Sequence, residues 1–167
     1  AFTVGISPSN IKKGLINFKG VQRRFNKIFS YNKIDFYDDY AHHPTEIRSV
    51  LEGVKNVYNK CEKVCIFQPH RISRLKDLRK EFSESFKDAD IVILCPIYTA
   101  GEKMKLGFSY DNFAKEIIKN SKVKLFLVNN NIQLAKFLKK NMYGDKIVIG
   151  MGAGSISNWI KKLPELM

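Results

Sequence analysis

Four short apolar runs constrain this chain more than any other feature: VCIF at 64–67, IVILC at 91–95, LFLV at 125–128 and IVIG at 147–150. Runs of this length without polar interruption predict strands covered on both faces, as in a parallel sheet. The segments between them carry helical spacing. Ile47, Val50, Leu51, Val54, Val57 and Tyr58 share one helix face, and Leu75, Leu78, Phe82 and Phe86 share another. Phe113, Ile117 and Ile118 form a third stripe; Ile132, Ala135 and Leu138 form a fourth. Such alternation predicts an α/β, Rossmann-like, doubly wound domain: a mostly parallel sheet of about six strands with helices on both faces.

Upstream of this pattern, RRFNKIFSYNKIDFYDDY reads as two strands joined near Tyr31, Asn32 and Lys33, a hairpin feeding the sheet. Earlier still, SPSNIKKGLINF has helix-start residues at Ser7 to Ser9 and an apolar stripe of Ile11, Leu15 and Phe18. That helix precedes the sheet domain and is expected to belong to a preceding one. The chain starts AFTVGISPSN, without Met and without a secretory n-region or h-region, so a piece of a longer protein is expected.

Composition narrows the function classes. Hydrophobic residues at 44% and charged residues at 27% of 167 exclude a disordered chain. No apolar run approaches the roughly 20 residues of a membrane helix, and no membrane partner is expected. The net charge of +13 raises nucleic acid, but the excess is mostly lysine, with six arginines, scattered over every predicted helix. Base readout favours arginine, and single-strand binding favours interleaved aromatics. A solvated lysine surface is the expectation, with no nucleic-acid partner. Cys65 and Cys95 sit in apolar runs and Cys61 lacks nearby ligands, which points to free thiols in a reducing cytoplasm.

In open α/β sheets, ligands bind beyond the carboxyl ends of the strands. Three polar clusters follow predicted strands: DDYAHHPTE at 38–46, QPHRISR at 68–74 and PIYTAGE at 96–102. In the first, Pro44 and Glu46 suit a helix start, yet capping needs one polar side chain and four are present. A metal held by Asp39, His42 and His43 is disfavoured because adjacent histidines seldom aim at one ion, and no metal site is expected. In the second, Arg71 and Arg74 are three apart. On a helix that spacing puts both guanidinium groups on one face of the first turn, an anion clamp for carboxylate or phosphate. GMGAGSI at 150–156 looks like a dinucleotide fingerprint, but too few residues follow it for a βαβ unit. It is expected to be a tight strand-to-helix turn.

Taken together, GVQRRF (20–25), DDYAHHPTEI (38–47), FQPHRISR (67–74), YTAGE (98–102) and GAGSI (152–156) resemble, in order and spacing, the C-terminal domain of the Mur ligase family of peptidoglycan synthesis. The resemblance implies three domains in the whole protein, with residues 1–22 the tail of a central ATPase domain and 23–167 the amino-acid-binding lid. No G-x-x-x-x-G-K-[ST] phosphate loop occurs in this chain, as a fragment would have it. FQPHRISR favours the branch that joins L-alanine to UDP-N-acetylmuramate over the sister branch that attaches a recycled peptide.

By the same resemblance, ATP is a substrate and Mg2+ accompanies it, bound mainly by the central domain. Arg24, Asp39 and His42 match nucleotide-contacting positions. Tyr40, His70, Arg71 and Arg74 match positions around the amino acid and the reacting end of the sugar substrate. Asp39 and His70 match catalytic positions. Two departures stand out. Asn26 replaces a common acid after GVxRRF, and Ser155 replaces the acid of GAGDI, where a serine can still cap a helix.

Overall fold

The computed structural model describes residues 2–18, 20–103 and 109–167. A 3-10 turn at Phe2–Val4 leads to α1 (Pro8–Ile16), capped by the Ser7 hydroxyl, which accepts the Asn10 N–H at 3.3 Å. The hairpin of β1 (Asn26–Tyr31) and β2 (Ile34–Asp39) follows. Its two loop residues, Asn32 and Lys33, have φ of 50° and 65°, the left-handed pair that matches strand twist in a two-residue turn. Then come α2 (Pro44–Val57), β3 (Glu62–Phe67), α3 (Ile72–Asp77), α4 (Arg79–Ser83) and β4 (Ile91–Leu94). The chain closes with α5 (Tyr110–Ser121), β5 (Lys124–Leu127), α6 (Asn131–Asn141), β6 (Lys146–Met151) and α7 (Ile156–Leu166).

Among the described residues six strands lie in the order β1-β2-β6-β3-β4-β5. Of their pairings β1–β2 is antiparallel and the other four are parallel. One face buries Ile47, Leu51 and Val54 of α2, Leu75, Phe82 and Phe86 of the α3–α4 region, and Phe113 and Ile117 of α5 against Tyr37, Cys65, Phe67, Val92 and Ile149. The other buries Leu134 and Leu138 of α6 and Ile156, Ile160 and Leu163 of α7 against Phe36, Val64, Ile66, Ile93 and Val148. Both cores are built from the sheet domain's own side chains, so the doubly wound expectation holds.

Three local expectations are corrected. LFLV is not covered on both faces: β5 is the sheet edge, and Phe126 and Leu127 are exposed. The stripe from Leu75 to Phe86 is not one helix. It breaks at Leu78 (φ −113°, ψ 27°) and α4 ends where the Ser83 and Ser85 hydroxyls donate to the Lys80 and Glu81 carbonyls, a local bond that competes with the helix ladder. Val57, Ile118 and Ile132 lie outside their helices' buried faces. Among the described residues no helix is long and apolar enough to cross a membrane.

Candidate active-site edge

The polar crowd in DDYAHHPTE separates into supports and free groups. Asp38 is buried, accepts the Ser157 hydroxyl at 2.6 Å and faces Arg23 Nε at 3.6 Å. Asp39 is buried at the end of β2, and its two oxygens accept the N–H groups of Phe25 (2.8 Å) and Ala41 (2.7 Å). Burial pushes this carboxyl above its ordinary value, opposed by those two bonds and by the Arg24 charge. Asp39 is therefore not a helix cap; it ties the segment entering β1 to the loop leaving β2.

The cap of α2 is His43, whose Nδ1 accepts the Thr45 N–H at 3.4 Å. Glu46 reaches back to accept the N–H of His42 (2.9 Å) and of His43 (3.1 Å), a capping box with histidine in the serine position. Burial alone would raise the Glu46 carboxyl; these two bonds and the His42 and Arg24 charges hold it below the ordinary value. Both Asp39 oxygens are thus committed to backbone N–H groups, and the His43 ring is turned into the cap. Among the described residues no three His, Cys, Asp or Glu side chains gather to hold an ion.

What remains is a row of rings across the carboxyl edge. The Arg23 guanidinium lies 4.7 Å from the Tyr40 ring centre. Tyr40 meets His42 edge-on at 5.0 Å, His42 meets His70 at 5.9 Å, and His70 stacks on Tyr98 at 5.4 Å and 18°. Loops after β2, β3 and β4 each contribute, as the sheet order brings their carboxyl ends together. His42 Nδ1 lies 3.0 Å from the Tyr40 carbonyl and 3.2 Å from Glu46 Oε2.

The arginine pair is built differently from the sequence expectation. Arg71 is not helical: it precedes α3 with φ 70° and ψ 133°, a backbone region that L-residues rarely occupy. Its N–H donates to the Tyr98 carbonyl (2.8 Å), and Tyr98 N–H donates to Pro69 (2.8 Å), so the loops after β3 and β4 are zipped together. Arg74, in the short α3, has a buried Nη1 without a hydrogen-bond partner among the described residues, and so has His70 Nδ1. Both guanidinium groups still bear on His70. Burial first, then the charges of Arg74, His42 and Arg71, hold its imidazole below the ordinary value, with Glu102 opposing. The lowered value favours the neutral imidazole beside two cations.

The turn at 152–155 closes the edge. Ser155 stands at the N-cap of α7, but its side chain makes no cap bond. Gln68, buried after β3, does it instead: Oε1 accepts the Ile156 N–H at 2.9 Å while Nε2 donates to the Ser155 hydroxyl at 3.0 Å. A Cβ on Gly154 would fall 2.5 Å from the Tyr98 ring, so this turn also backs the Tyr98–His70 stack. The Asn26 departure is mild, because its side-chain oxygen accepts the Arg24 N–H at 3.0 Å as a carboxylate would. Arg24 is exposed, near enough to lower both Asp39 and Glu46.

All seven residues singled out from sequence (Arg24, Asp39, Tyr40, His42, His70, Arg71, Arg74) thus lie along one edge. Sequence reasoning left out Arg23, Gln68, Tyr98 and Glu102; the last two stood in the quoted YTAGE without a role. A hollow of about 690 Å³ lies at the opposite end of the sheet beside Glu62, Asp90 and Lys124, the amino ends of β3, β4 and β5, where α/β ligands do not bind.

The Mur ligase, glutamate ligase domain family matches residues 23–154. The chain is 70% identical over 167 residues to the UDP-N-acetylmuramate–L-alanine ligase of Pelagibacter ubique, covering 100% of this chain and 36% of that protein. It therefore spans about a third of the length of the curated relatives it matches. Among solved structures it is similar to the UDP-N-acetylmuramate–alanine ligase of Thermotoga maritima, with a TM-score of 0.75 and 26% identity over 98% of this chain and 34% of that one. A murein peptide ligase from Psychrobacter arcticus shares the fold at a TM-score of 0.72 and 19% identity, over 99% and 34%.

Proposed function

Because the chain belongs to the Mur ligase family and spans its glutamate ligase domain, we propose that it is the amino-acid-positioning domain of a cytoplasmic ligase that joins L-alanine to UDP-N-acetylmuramate at the expense of ATP. The lactyl carboxylate attacks the γ-phosphorus, giving an acyl phosphate and ADP. The alanine amine then attacks the acyl carbon, and phosphate leaves. The observation that carries the reading is the pair of buried polar atoms after β3, His70 Nδ1 and Arg74 Nη1, without partners among the described residues, with burial and the Arg74 and Arg71 charges holding the His70 imidazole below its ordinary value. An amino acid presents a carboxylate and an amine together, and this set answers both. The guanidinium groups hold the carboxylate, and the imidazole accepts the proton that leaves nitrogen once the C–N bond has formed.

Tyr40 completes the amino-acid side. Arg24, Asp39 and His42 face the nucleotide; Asp39 acts by fixing the 23–25 segment as much as by any direct contact. The Mg2+ that accompanies ATP is held mainly by the central domain, through one or two carboxylates beside the substrate phosphates.

The rest of the ligase chain closes over this edge. Residues 1–22 are the tail of the preceding domain: α1 buries none of its side chains, and Leu15, Ile16, Phe18 and Val21 stand 71%, 71%, 63% and 59% exposed. Closing the open edge against that partner excludes water from the acyl phosphate.

The test is acceptor choice by the complete ligase. With ATP and UDP-N-acetylmuramate, L-alanine is expected to give one ADP and one phosphate per amide, while the recycled tripeptide gives none. Turnover with the peptide alone would move the assignment to the sister branch, and turnover with neither would overturn it.

A further inference from the structure

Arg71 has to be held in a backbone conformation it would not choose, and the segment after β4 holds it. Ala100 (φ 51°) and Gly101 (φ 87°) make a tight left-handed turn, closed by Glu102 N–H donating to Thr99 at 3.1 Å. The turn delivers one carboxylate to the loop after β3. Glu102 Oε2 accepts the Ser73 N–H at 3.0 Å, and Oε1 accepts the Ser73 hydroxyl at 2.7 Å. The same Oε1 lies 4.0 Å from Arg71 Nη1. Those bonds from Ser73 hold the Glu102 carboxyl below its ordinary value, so it is ionised at neutral pH.

We propose that Glu102 is a positioning residue of the amino-acid site: it locks the start of α3 and steers the Arg71 guanidinium toward the substrate carboxylate. The inference rests on the amino-acid reading above. Two anchors sit on either side of the strained residue. The Tyr98 carbonyl takes the Arg71 N–H, and Glu102 takes Ser73 two residues on. Between them the Arg71 backbone is tied on both sides, which limits the directions its side chain can take. The partial exposure of Arg71, with 53% of its side chain open, leaves the guanidinium free to exchange a loose ion pair for a bidentate one. A pure capping role for Glu102 would leave amino-acid affinity untouched.

The test is steady-state kinetics of the complete ligase with Glu102→Gln, Ser73→Ala, Arg71→Ala and the double variant Arg71→Ala/Glu102→Gln. The glutamine amide oxygen still accepts the Ser73 N–H, so the turn survives while the charge is lost. Glu102→Gln is expected to raise the KM for alanine about tenfold, the size of one misdirected charge-assisted bond. Ser73→Ala should raise it less, and the KM for ATP should stay within about twofold of the unaltered enzyme. In the Arg71→Ala background Glu102→Gln should add nearly nothing, because coupled residues are not additive. The proposal is overturned if Glu102→Gln leaves alanine KM unchanged, raises every KM equally, or adds its full effect to Arg71→Ala. If Arg71→Ala itself is silent, the amino-acid reading falls and this inference with it. If Arg71→Ala is strong and Glu102→Gln silent, only the positioning role falls.

Discussion

Arg71→Ala in the complete ligase is expected to raise the KM for alanine about 10- to 150-fold, with the KM for ATP nearly unchanged. A charge-assisted hydrogen bond contributes about 1.5–3 kcal/mol, and each 1.4 kcal/mol is tenfold. The upper part of the range applies if the substrate carboxylate is bound bidentately in the closed enzyme, where water is excluded. Lysine at this position should recover little, since it offers a point charge where a planar fork is needed. Initial rates across alanine concentration check it. A common rise in the KM values for alanine and ATP would mean that the substitution loosens the whole edge and not the carboxylate contact.

Gly152→Ala is expected to be among the most destabilising single substitutions in the chain. Gly152 has φ 147°, and an added Cβ would sit 2.7 Å from the Gln68 carbonyl oxygen and 3.1 Å from Ile156. The backbone strain and the overpacking each contribute about 1–3 kcal/mol. Neither can be relieved locally, because Gly152 N–H donates to the Asp39 carbonyl at 3.3 Å and its own carbonyl accepts from Arg23 Nη2 at 2.5 Å. Together these are a large fraction of the 5–15 kcal/mol by which a domain of this size is folded. Gly53→Ala is the control: nothing lies within 4 Å of its added Cβ, in the middle of α2, and a gain of about 0.5–1 kcal/mol is expected there. Urea denaturation of the two variants checks both. Equal midpoints would show that the 152–155 turn has room.

The sheet was legible from its short apolar runs, and the hairpin from the two strand-like segments on either side of Asn32-Lys33. The edge position of β5 was not, since LFLV reads the same whether a neighbouring strand covers it or solvent does. Nor was the break at Leu78, where no glycine or proline intervenes. Within the site, the motif order marked which loops converge, and all seven residues singled out from it lie there. Their internal roles depend on contacts far apart in sequence. Gln68 caps a helix that starts 88 residues later, and Glu102 reaches Ser73 across 29. Spacing alone put Arg71 on a helix; the Tyr98 carbonyl and the turn at 100–101 hold it off one.

On the proposed assignment this edge serves the second half of the reaction, capture of the acyl phosphate by the amino acid. Hydroxylamine offers a direct test, because it attacks an acyl phosphate without presenting a carboxylate. The complete ligase and its Arg71→Ala variant would be given ATP, UDP-N-acetylmuramate and either alanine or hydroxylamine, and amide and hydroxamate formation would be measured. The expected result is hydroxamate formation at the unaltered rate in the variant, while alanine coupling at low alanine collapses. A parallel loss of hydroxamate would place Arg71 in phosphoryl transfer and contradict the amino-acid assignment.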